Sequence, residues 1–355
     1  MSRERIITAA VLPEDNPAPP LSGVSQPPLR PRRLDEYIGQ KELVEKLRIS
    51  IAAAKKRGDA MEHVLLHGPP GLGKTTLAYI IAAELNASVP KITSGPALSR
   101  PTELVAMLTN IERGEVLFID EIHRIPAAVE EYLYPAMEDF CVDVITGSGT
   151  HADSLHMDIH PFTLIGATTR AGLLSGPMRS RFGIAHHLNF YAAADLLEIV
   201  VRSARLLNLP SHPEALELIA HRSRGTPRVA NRLLRRVRDF ALVRGAGRLT
   251  VEVAAQALEL EGIDELGLDA LDRRFLHVLA HDYEGGPAGL EATAATMGEE
   301  SDTLEDVVEP YLLQIGLIRR TPKGRQLTPA GYQHLRLSPP NKTSAAMVPE
   351  LFREP

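Results

Sequence analysis

Tryptophan is absent from the 355 residues and aromatic side chains make up only 5% of them, so stacking platforms for single-stranded bases are not expected. The one cysteine, Cys141, cannot form an intrachain disulfide, which fits a reducing, cytoplasmic compartment. No apolar run approaches the length of about 18 residues that a spanning helix needs, and Pro13, Glu14 and Asp15 interrupt the N-terminus before a signal-like apolar core can form. Positive charge is also short. A net charge of −6 argues against a surface that coats polyanions, so any DNA must meet a local basic patch or arrive through a partner. What remains is ordinary for a globular protein of two or three domains, with 44% apolar and 24% charged residues.

Residues 1–28 are rich in proline and polar residues and read as a tail. Apolar residues at helical spacing (Leu43, Leu47, Ile51, Ala54) predict one amphipathic helix over 34–57. Short apolar runs at 63–68, 88–95, 115–120, 162–169 and 186–190 then alternate with helical stretches, the pattern of a parallel α/β sheet covered on both faces. Between the third and fourth runs, residues 141–160 alternate apolar with polar around Gly147–Gly149, a hairpin inserted in the sheet domain. An all-helical stretch follows over 191–262, one of its helices opening with Thr226 and Pro227. Residues 263–336 read helix, helix, helix (Thr303 to Ile315), hairpin, which is winged-helix order, and 337–355 read as a second tail. The first domain thus spans 29–190.

GPPGLGKTT (68–76) satisfies G-x-x-x-x-G-K-[ST] with Gly68, Gly73, Lys74 and Thr75, between a predicted strand and a predicted helix. Its glycines let backbone N–H groups cradle phosphates. Lys74 would neutralise the β and γ phosphates, touching no core residue, and Thr75 would ligate Mg²⁺. EVLFIDEIH (115–123) sets Asp120 and Glu121 where an apolar strand ends, the first for the Mg²⁺ shell and the second for the attacking water. GATT (166–169) supplies hydroxyls at the next strand end. PMRSRFG (177–183) carries Arg179 and Arg181 with strand-like alternation, Phe182 packing inward; one of these arginines could be a surface loop residue or could stabilise γ-phosphate charge across a subunit interface. Arg228 opens a helix of the second domain. RRTPKGR (319–325) clusters cations in the expected wing, with Arg320 and Arg325 the best candidates for DNA contact, whereas Asp302, Glu305, Asp306 and Glu309 make the preceding helix repel phosphate.

In this order the P-loop, DEIH, GATT, SRF and GTPR boxes resemble the AAA+ ATPase superfamily. RPRRLDEYIGQ, HGPPGLGKTTLA, LFIDEIHR, EEYLYPAMEDF, FTLIGATTRAGLL, GTPRVANRLLRRVRDFA and RTPKGR are more specific and resemble the RuvB family over about 29–335. That resemblance implies a large AAA+ domain, a small helical lid and a C-terminal winged helix, in a homohexameric ATP- and Mg²⁺-dependent ring that drives duplex DNA through branch migration of Holliday junctions. It implies loading by RuvA through the hairpin 141–160 and action with the resolvase RuvC in recombination, repair and the SOS response. It places Leu29, Arg30 and Tyr191 by the adenine, Gly71, Gly73, Lys74, Thr75 and Thr76 on phosphates, Thr75 and Asp120 on Mg²⁺, Asp120 and Glu121 as the acidic pair, Thr169 as first sensor and Arg228 as second. Arg181 would be donated to the neighbouring subunit, with Glu138, Asp139 and Phe140 at the same interface. A clamp-loader-like switch, or a nucleotide-gated winged-helix regulator, are the competing readings.

Overall fold

The computed structural model describes residues 29–146 and 153–339. The expected tail 1–28, the hairpin tip and most of 337–355 lie outside them. Three apolar strands, β1 (Val64–His67), β3 (Val116–Asp120) and β6 (Thr163–Thr168), are buried along nearly their whole length at the centre of a five-stranded sheet. The edge strands β2 (Lys91–Ser94) and β7 (Ile184–His187) are only partly buried. The order is β2-β3-β6-β1-β7 with every pairing parallel. Helices α1 (Lys41–Arg57) and α2 (Lys74–Glu84) cover one face through Leu43, Leu47, Leu77 and Ile81. Helices α3 (Pro101–Thr109) and α4 (Ala127–Glu138) cover the other through Leu104, Leu108, Val129 and Leu133. Because β6 lies between β3 and β1, the carboxyl ends of these three strands adjoin, which is where open α/β sheets bind ligands.

The helix expected over 34–57 is broken. A short 3₁₀ turn at Leu34–Glu36 is separated from α1 by Gly39 (φ 80°) and Gln40 (φ 46°), both left-handed, and the ring of Tyr191 fills the space that a β-carbon on Gly39 would need. The hairpin expected at 141–160 is formed by β4 (Cys141–Thr146) and β5 (Asp153–Asp158), antiparallel, with Cys141 opposite Asp158. The alternation expected at Arg179–Arg181 does not occur. Ser175 accepts from the Met178 amide at 3.2 Å and Pro177 sits in the first turn, so residues Gly176–Ser180 wind into a helical turn, α5, that Arg181 ends.

Helices α6 (Ala193–Leu206), α7 (Pro213–His221), α8 (Pro227–Arg244) and α9 (Val251–Leu260) form the lid; their apolar faces join the core beneath α1 and α2. A separate core of Phe275, Leu276, Leu279 and Leu312 holds the C-terminal unit. It contains α10 (Ala270–His281), α11 (Leu290–Met297), α12 (Ser301–Thr303), α13 (Glu309–Gln314), the hairpin β8 (Ile318–Thr321) and β9 (Gly324–Leu327), and α14 (Pro329–His334). Between α12 and α13 the helix widens into a π turn over Leu304–Val308. Pro310 has no amide hydrogen to give the Asp306 carbonyl, and its ring crowds the same turn.

Candidate functional site

The P-loop wraps the end of β1. Gly71 (φ 81°) and Gly73 (φ 100°) adopt left-handed conformations that side chains disfavour, and a β-carbon on Gly71 would meet Arg228 at 3.1 Å. Lys74 opens α2 with Thr75 and Thr76 half-buried beside it. Its ammonium donates to the carbonyls of Gly68 at 2.7 Å and Pro69 at 3.0 Å. Lys74 is therefore 8% exposed and ties the loop together, contrary to the expectation that it touches nothing structural. Burial lowers its pKa to about 8, against the pull of Asp120 and Glu121.

Asp120 ends β3 and accepts from the Glu121 amide at 2.9 Å. Glu121 turns away in a left-handed conformation (φ 47°). Burial, and secondarily Asp120, raise its pKa. From the neighbouring strand end, Thr169 donates its hydroxyl to Glu121 at 3.4 Å, while Thr168 Oγ1 lies 2.8 Å from His123 Nδ1. That nitrogen lies 3.3 Å from Glu121. Sequence reasoning passed over His123, whose role depends on the β3–β6 register.

The lid closes the site from the other side. The Arg228 amide donates to the Gly71 carbonyl at 3.3 Å, and the Tyr191 amide to the Gly225 carbonyl at 2.8 Å. The Tyr191 hydroxyl reaches the Leu72 carbonyl (3.3 Å) and Tyr37 (2.9 Å), and burial raises its pKa to about 12. Tyr37, unflagged in the sequence, lies against Gly73. Leu29 is buried, its carbonyl accepting from Arg202 of α6 at 2.8 Å, and Arg30 lies near enough to Tyr79 of α2 to lower its pKa, against the stronger upward push of burial.

Arg181, Glu138, Asp139 and Phe140 lie elsewhere. Phe140 packs on His63 and Phe162, with ring centroids 6.5 and 6.1 Å away, where β1 and β6 begin. Arg181 pairs with Glu138 at 3.1 Å and stacks over Tyr134 at 4.3 Å; its neighbour Gly183 lies against Glu62, ahead of β1. The whole length of β1 thus separates this cluster from the P-loop of the same chain. Phe182 is buried, as expected.

In the wing, Arg320 and Arg325 both grip Glu309, which is fully buried, through four hydrogen bonds of 2.8–2.9 Å. One carboxylate therefore offsets part of the charge they would offer phosphate. Arg319 and Lys323 are exposed on the same hairpin. The other three acids of this segment face the ATPase domain: Arg170 binds Asp302 and Asp306 at 2.9 Å and Glu305 at 3.4 Å, and Arg124 reaches Asp302 at 3.2 Å.

Three family models match consecutive stretches of the chain. They are the Holliday junction DNA helicase RuvB P-loop domain at 29–188, the RuvB AAA lid domain at 191–264 and the RuvB C-terminal winged helix domain at 265–336. Among solved structures, Thermotoga maritima RuvB, described as a Holliday junction branch migration motor, is 51% identical with a TM-score of 0.81, covering 87% of this chain and 99% of that one. Two single-substitution variants of that protein match over the same shares, one at 51% identity and TM-score 0.82, the other at 50% and 0.80.

Proposed function

The chain belongs to the RuvB family, and from that premise we propose that it is an ATP-hydrolysing DNA motor that migrates the branch point of Holliday junctions. The observation that carries this is the convergence of Lys74, Asp120, Glu121 and Thr169 at three adjoining strand ends, beneath a lid whose Arg228 touches the P-loop. Gly71, Gly73, Lys74, Thr75 and Thr76 bind the phosphates, and Leu29, Arg30 and Tyr191 flank the base. The Thr75 hydroxyl and Asp120 carboxylate are hard oxygen donors suited to Mg²⁺, which when bound neutralises charge on the transferred phosphoryl group. Glu121 orients the attacking water and takes its proton; burial moves its pKa toward the working range of a general base. Thr169 holds Glu121 and senses the γ-phosphate.

In a homohexameric ring, Arg181 together with Glu138, Asp139 and Phe140 meets the nucleotide of the neighbouring subunit. Arg320 and Arg325, with Arg319 and Lys323 beside them, form the DNA-facing edge of the wing. The hairpin 141–160 docks RuvA, which loads the ring on junctions that RuvC resolves in cytoplasmic recombination and repair, including the SOS response. A clamp-loader-like switch and a solitary regulator are set aside, because all three RuvB-type domains are present in one chain.

The test is conversion of a synthetic four-way junction with homologous arms into separated duplexes, in the presence of RuvA, ATP and Mg²⁺. Conversion by the unaltered chain and none by Glu121→Gln, which should still bind ATP, supports the reading. Hydrolysis without junction movement would sink it.

A further inference from the structure

Beyond the ends of two strands of the catalytic centre, the chain carries an arginine that leaves the site. Arg124 follows the acidic pair at the end of β3, and Arg170 follows Thr169 at the end of β6. Both reach Asp302 in the C-terminal unit. Arg170 is the better held, four-fifths buried, with its Nε on Asp306 and one terminal nitrogen shared between Asp302 and Glu305. Its own backbone is fixed as well, since its amide donates to Thr168 Oγ1 at 2.9 Å.

The chemistry beside this joint is the reaction centre. Thr169 precedes Arg170 and bonds Glu121, and Thr168 contacts His123, which flanks Glu121. On the other side, the three acids lie on α12 and the π turn, one helical segment of the domain that carries the wing. They are spaced so that all three side chains share a face. A movement of that segment pulls on Arg170, whose backbone adjoins Thr169 and is tied to Thr168. Wide π turns sit often at functional positions, and here the turn supplies Asp306, whose charge is felt at both Lys74 and Glu121.

We propose that Arg170 is a positioning residue for ATP hydrolysis, and that its clamp on Asp302, Glu305 and Asp306 is the joint through which the DNA-engaging domain sets the placement of Thr169 and Glu121. Arg170 touches neither nucleotide nor DNA; it carries the state of one to the other. The inference rests on the reading of this chain as a DNA-stimulated ATPase.

The test measures ATP hydrolysis by the full-length chain with and without duplex DNA, alongside nucleotide and DNA affinity. Unaltered protein should be stimulated by DNA by about tenfold or more, a barrier lowered by about 1.4 kcal/mol. Asp302→Asn with Asp306→Asn should keep DNA affinity and hydrolyse ATP at a basal rate that DNA no longer raises. Arg170→Gln should lose the same coupling. Asp302→Glu with Asp306→Glu retains both charges and should restore most of it. A merely structural contact would instead lower the melting temperature and scale basal and stimulated rates together. Full stimulation in the Asn variant overturns the joint. Hydrolysis that DNA does not alter in the unaltered protein overturns the motor reading, and the joint with it.

Discussion

Lys74 combines an observed tie across the P-loop with the proposed contact to phosphate. With its pKa lowered to about 8, it is an ammonium ion at pH 7 and increasingly a neutral amine above pH 8. Phosphate binds the charged form, so ATP affinity should hold below pH 8 and fall by about tenfold per unit above it, with a proton taken up on binding. Calorimetry at pH 8 in two buffers of unlike ionisation enthalpy measures that uptake; its absence would show that the amine stays charged. Because the same ammonium pins Gly68 and Pro69, a substitution here disturbs the loop as well as the charge. Glu121 is the cleaner probe. Glu121→Gln keeps Asp120 for Mg²⁺ and should bind ATP while hydrolysis falls by at least about 10²-fold, read from single-turnover rates.

Among the elements, α13 and the wing give the sharpest stability prediction. Burial pushes the Glu309 carboxyl up, but Arg320 and Arg325 outweigh it, so its pKa lies below the ordinary 4.5. The group therefore contributes stability that is full above that value and drains away as pH falls through the lower folded one. Glu309→Gln leaves two arginines without their carboxylate, but Arg320 is half-exposed and can be resolvated, so the cost should be about 1–3 kcal/mol, measured by denaturant unfolding of the C-terminal unit. At the hairpin, removing residues between β4 and β5 should spare ATP hydrolysis, since no catalytic side chain resides there, while abolishing junction loading by RuvA; normal RuvA-dependent branch migration would count against a docking role. The P-loop, the acidic pair and the GATT hydroxyls were legible in the sequence because phosphate chemistry demands fixed local spacing at strand ends. Tyr37, His123 and Arg170 were not, because their value comes from strand order and domain docking, which no local pattern encodes. The turn α5 was misread as extended although Ser175 and Pro177 spell a helix start. The break before α1 hides in Gly39, whose freedom is needed only because Tyr191 arrives from 152 residues away.

For the whole molecule, the prediction concerns subunits in combination. Arg181→Ala should bind ATP normally yet lose hydrolysis by roughly 10³–10⁵-fold, as arginine fingers do. Lys74→Ala should be inactive for a different reason, with its Arg181 intact. If the proposed ring forms, mixing both should recover some hydrolysis, because a Lys74→Ala subunit would lend its arginine to a neighbour with a sound P-loop. No recovery in rings shown to be mixed would place the arginine in its own subunit's site.

The placement of Arg181 and Glu138 at the opening ends of the strands, with the P-loop at the closing ends, has a consequence for how the protein behaves in a tube. In the proposed ring, each chain would own the halves of two different reaction centres and the whole of none. Turnover per chain should therefore vanish on dilution and climb with protein concentration until association saturates, so that a specific activity quoted without a concentration has no fixed meaning.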